Sequence, residues 1–79
     1  MTPAQQAEVI ELQRQMHEYL NTLVASGMDE ATVSTAALVA ASERVLMAST
    51  PTQAAAWLRG QALAIEKFGP AMIEARKRG

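Results

Sequence analysis

The chain has 79 residues, a formal net charge of −1 and no cysteine. This length allows one domain with a marginal core, and the charge excludes broad electrostatic attraction to nucleic acid or anionic membranes. The missing thiols exclude disulfides, thiolate chemistry and cysteine-held metals, and suit a reducing compartment.

The first element is expected over residues 3–26. Pro3 suits a first helical position, with Thr2 as its N-cap. Val9, Leu12, Met16, Tyr19 and Leu23 follow in steps of three and four, a heptad seam broadened by Leu20 and Val24. Glu8, Glu11, Arg14, Gln15, Glu18 and Asn21 lie on the other side, where Glu11–Arg14 and Arg14–Glu18 make weak surface pairs. Gly27 is the stop, since a left-handed C′ position penalises a Cβ.

The second helix is expected over 30–48. Asp29 is its N-cap, and Met28 and Val33 have the spacing of a hydrophobic staple. From Val33 to Ala48 the chain is Ala, Val, Leu and Ser with only two charges, Glu43 and Arg44. A helix that is apolar nearly all round must be covered on several faces. Leu38, Ala41, Val45 and Ala48 form the expected core stripe. The apolar run is expected to be too short for a bilayer. The amino-terminal residues lack a basic region followed by an apolar one. A cytoplasmic location follows as the expectation.

Thr50-Pro51-Thr52-Gln53 combines a capping box with a proline at N1 and starts a third helix over 51–68. Its core stripe is expected to be Ala55, Leu58, Ala62 and Ile65, flanked by Phe68. Pro70 lacks the N–H that would bond the Glu66 carbonyl. A separate short helix over 70–77 is therefore expected, ending in Arg76-Lys77-Arg78. The fold class is all-α: a single domain over 1–79, a three-helix bundle with a short fourth segment. The surplus of large apolar side chains calls for homodimerisation, through helix 1 and the exposed sides of helices 2 and 3.

Chemistry is sparse. His17 is the sole histidine and has no companions at metal-ligand spacing. The carboxylates fall on solvated faces, with no loop long enough to enclose a pocket. Ser34, Ser42 and Ser49 have no base at a recognisable offset, and mid-helix serines commonly bond the preceding turn. No enzyme activity, cofactor or metal is expected.

Four residues are the candidates for partner binding. Glu43 and Arg44 either mark the exposed strip of helix 2 or form inter-chain ion pairs that set register. Trp57 and Leu63 flank the stripe of helix 3, where an aromatic either closes the core or anchors an interface. The function expected is a non-enzymatic helical interaction module, an adaptor, regulator or inhibitor that binds itself and another protein. The alternative is a small dimeric helix-turn-helix-like DNA-binding regulator. Its second helix would read bases with only Thr52, Gln53 and Arg59, and it lacks early phosphate-binding Lys or Arg.

Overall fold

The computed structural model describes residues 1–78 and is all-α: α1 (Pro3–Ala25), α2 (Glu30–Ala48) and α3 (Pro51–Arg78). Thr2 caps α1 through a full capping box. The Gln5 N–H donates to Thr2 Oγ1 at 3.1 Å, and the Thr2 N–H donates to Gln5 Oε1 at 2.9 Å. Two of the orphan donors of the first turn are thereby satisfied.

The other end of α1 closes as a Schellman motif. Gly27 adopts φ 109°, its N–H donates to the Val24 carbonyl at 3.0 Å, and the Met28 N–H donates to the Leu23 carbonyl at 3.2 Å. The left-handed glycine turns the chain back within three residues and satisfies two terminal carbonyls. Asp29 starts α2: its Oδ2 accepts from the Thr32 N–H at 3.1 Å and from the Thr32 hydroxyl at 3.3 Å. Thr50 starts α3 in the same way, with Oγ1 accepting from the Gln53 N–H at 3.2 Å.

The expected break at Gly69-Pro70 does not occur. α3 is one helix of 28 residues with Pro70 inside it, so there is no separate fourth segment. The proline removes one i→i−4 bond, but Glu66, whose carbonyl loses it, is exposed and open to solvation. Good helix formers on both sides (Ala62, Leu63 and Ala64 before, Ala71, Met72 and Ala75 after) carry the helix through.

Packing forms two compact units, Met1–Val39 and a second that begins at Ala40. In the first, Val33 is buried and Leu20, Leu23, Val24 and Ala37 are partly covered, all close in sequence to the Gly27 turn. In the second, Ala54 is buried, and Ala41, Ser42, Val45, Ala55 and Leu58 are partly covered on either side of the Ser49-Thr50 connection. The covered stripe of α2 is therefore Val33, Ala37, Ala41 and Val45, in steps of four. Leu38 and Ala48, expected in the core, lie outside it, and Leu38 is 57% exposed. On α3, Ala62 and Ile65 are likewise exposed, against expectation.

On α2 the covered stripe, in steps of four, drifts about 40° per step, so Leu38, one residue past Ala37, falls about 100° to one side of it. On α3 the reason is length. At about 1.5 Å per residue, α1 runs about 34 Å and α3 about 42 Å, whereas each unit contains only about 14 Å of α2. The far ends of α1 and α3 outrun what α2 can cover.

Candidate functional site

The four candidate residues do not converge. Glu43 and Arg44 are exposed and line a shallow depression on α2 with Met47 and Ala48, in which neither Trp57 nor Leu63 takes part. Glu43 lies two residues past the covered Ala41, and so about 200° round the helix at about 100° per residue. No other described residue pairs with Glu43 or Arg44. Trp57 is about two-fifths exposed, and Leu63, at 65%, lies five residues past Leu58, about 140° round from the covered stripe. Leu63 therefore sits on the back of α3.

Two longer apolar tracks stand out instead. On α1, Val9, Leu12, Met16 and Tyr19 are exposed, and the track ends at the partly covered Leu23. On α3, a track starts at the partly covered Leu58 and runs uncovered through Ile65, Phe68 and Met72. Each is the continuation of a face already packed near its turn. The α1 seam was legible from spacing. The α3 seam is hidden in the sequence because Gly69-Pro70 reads as a helix end, although the steps 58, 65, 68 and 72 cross it in phase.

Polar chemistry is confined to the surface. Arg14 bonds both Glu11 and Glu18, as their spacing leads one to expect. The Arg14 guanidinium, helped by the Gln15 amide, holds the Glu11 carboxyl below its ordinary value. The Ser49 hydroxyl donates to the Val45 carbonyl at 2.6 Å, and the Thr22 hydroxyl to the Glu18 carbonyl at 2.9 Å. Among the described residues no three His, Cys, Asp or Glu side chains cluster to hold a metal. His17 is exposed on α1.

One expectation about α2 needs correction. At 19 residues and a mean hydropathy of 1.2, it is long and apolar enough to cross a membrane by length and composition. Counted from Val33 the apolar run falls short of a span, whereas the helix itself begins three residues earlier, at Glu30.

The fold thus defines a class, an all-α chain of three helices whose outer two are largely uncovered. No family model, curated protein or solved structure matches it.

Proposed function

We propose that this chain is a non-enzymatic helical interaction module that acts in the cytoplasm. It pairs with itself and presents apolar helix faces to another protein as an adaptor, regulator or inhibitor. One observation carries the reading: among the described residues only Val33 and Ala54 are buried, while seventeen large apolar side chains are exposed.

The surface area gives this a scale. A compact chain of 8.5 kDa exposes about 4650 Å², and two separate compact bodies of half that mass about 5600 Å² together. This chain exposes 6860 Å². The excess of about 1200 Å² over even the two-body case is more than the roughly 800 Å² per partner buried in a standard protein interface.

A cytoplasmic setting is favoured over a membrane because Glu43 and Arg44 fall within α2, about 6–8 Å past its midpoint, and charged side chains inside a spanning segment are costly. DNA binding has less support. The cluster Arg76-Lys77-Arg78 lies about 38 Å along α3 from the end that would enter a groove.

Sedimentation equilibrium across a concentration series, with binding of an apolar fluorescent dye, tests the reading. The expected result is a mass above that of one chain together with dye binding; a single chain that binds dye strongly would overturn the self-pairing and leave the partner surface. A single chain that binds no dye would overturn both.

A further inference from the structure

We infer that the second copy docks reciprocally, the α1 seam of each chain lying antiparallel on the uncovered length of α3 of the other. The inference rests on the self-pairing reading above and specifies its surface.

Three observations select this pairing over α1 on α1. The first is charge. Within α1, Glu8, Glu11 and Glu18 against Arg14 leave −2. Within α3, Arg59, Lys67, Arg76, Lys77 and Arg78 against Glu66 and Glu74 leave +3. Like helices therefore repel and unlike helices attract. In an antiparallel arrangement Glu8, one turn before Leu12 and at the border of the seam, lies across from Arg76 at the basic end of the other helix, while Glu11 stays with Arg14.

The second is length and continuity. From Arg59 to Arg78 α3 runs about 30 Å, close to the 26 Å or so of α1 from Pro3 to Tyr19, before its covered end. Both tracks begin at partly covered residues, Leu23 and Leu58, and continue outward uncovered. A partner helix laid on either one extends an existing packed face.

The third is the fit of the faces. Both seams keep a seven-residue period, Val9-Met16-Leu23 and Leu58-Ile65-Met72, as helices that pack side by side require. The α3 seam is bordered by Ala64 and Gly69, which let bulky side chains approach closely. A Cβ at Gly69 would meet only Ile65 Cγ2, at 3.8 Å. In the antiparallel register Leu12 lies across from Met72, Met16 from Phe68 and Tyr19 from Ile65.

The cysteine-free chain offers a direct test. Met16→Cys and Phe68→Cys are made in separate chains, both at exposed positions, then co-refolded and mildly oxidised. The covalent products are resolved by intact mass. The expected product is the mixed dimer of the two variants, with neither variant cross-linking efficiently alone. Efficient self-cross-linking of Met16→Cys would overturn the inference in favour of α1 on α1. A parent chain that sediments as a dimer, with no mixed product, would overturn the pairing and leave the interaction-module reading standing. A parent that stays single and binds dye would do the same, whereas a single chain that binds none defeats both.

Discussion

Val33 is the one large side chain buried in the structure, at 3% exposure. Val33→Ala removes two methyl groups, worth about 0.8 kcal/mol each in transfer alone. The unfilled space adds to this, so the loss should reach about 2 kcal/mol. In urea, where small proteins have slopes near 1 kcal/mol per molar, the midpoint of the helical circular-dichroism transition should fall by about 2 M at fixed chain concentration. Leu38→Ala is the control. It deletes more atoms, but Leu38 is 57% exposed, and the expected loss is about 1 kcal/mol or less. If Leu38→Ala costs more than Val33→Ala, or Val33→Ala moves the midpoint by under about 0.5 M, the packing of the first unit described above is wrong.

Other substitutions probe local structure. A Cβ added at Gly60 meets nothing within 4 Å, and the residue lies inside α3, so Gly60→Ala should stabilise the chain by about 0.5–1 kcal/mol, seen as a higher urea midpoint. Thr50→Ala deletes the acceptor that holds the Gln53 N–H and should cost about 1 kcal/mol by the same assay. Glu11 has a lowered pKa in the folded chain, so its pairing with Arg14 supports α1 fully above the ordinary value of 4.5 and is lost as the pH falls through the lowered one. An acid titration of helical signal should show this loss in the parent chain and a smaller one in Glu11→Gln. An identical pair of titrations would rule the interaction out as a contributor.

The helix starts were legible because capping is local chemistry. Thr2-Pro3, Asp29 and Thr50-Pro51 each place an acceptor where free N–H groups need one, and no distant residue decides that. Gly27 was legible for the same reason. Burial was not, because it depends on how far each helix extends past its neighbour. Leu38 and Ile65 have the spacing of core residues and yet face water. Pro70 misled because a helix can lose one bond where water takes its place, and only the structure shows Glu66 on the outside. Of the candidate site, Glu43 and Arg44 stand out by rarity on an apolar helix, and Trp57 and Leu63 by their place beside the stripe of helix 3, and neither signal says whether the four share a surface. The α1 seam, read from periodicity, is the part of the sequence reading that passes into the proposed dimer.

The shortage of buried residues also sets how the chain responds to temperature. Heat-capacity change on unfolding scales with apolar surface newly exposed to water. With Val33 and Ala54 the only buried residues among those described, an isolated chain has less surface to expose on unfolding than a compact domain of its mass, about 5500 Å² against about 7700 Å². Its stability curve should be shallower and its melting broader than those of such a domain. The remaining part of the heat-capacity change would accompany the covering of the α1 and α3 seams.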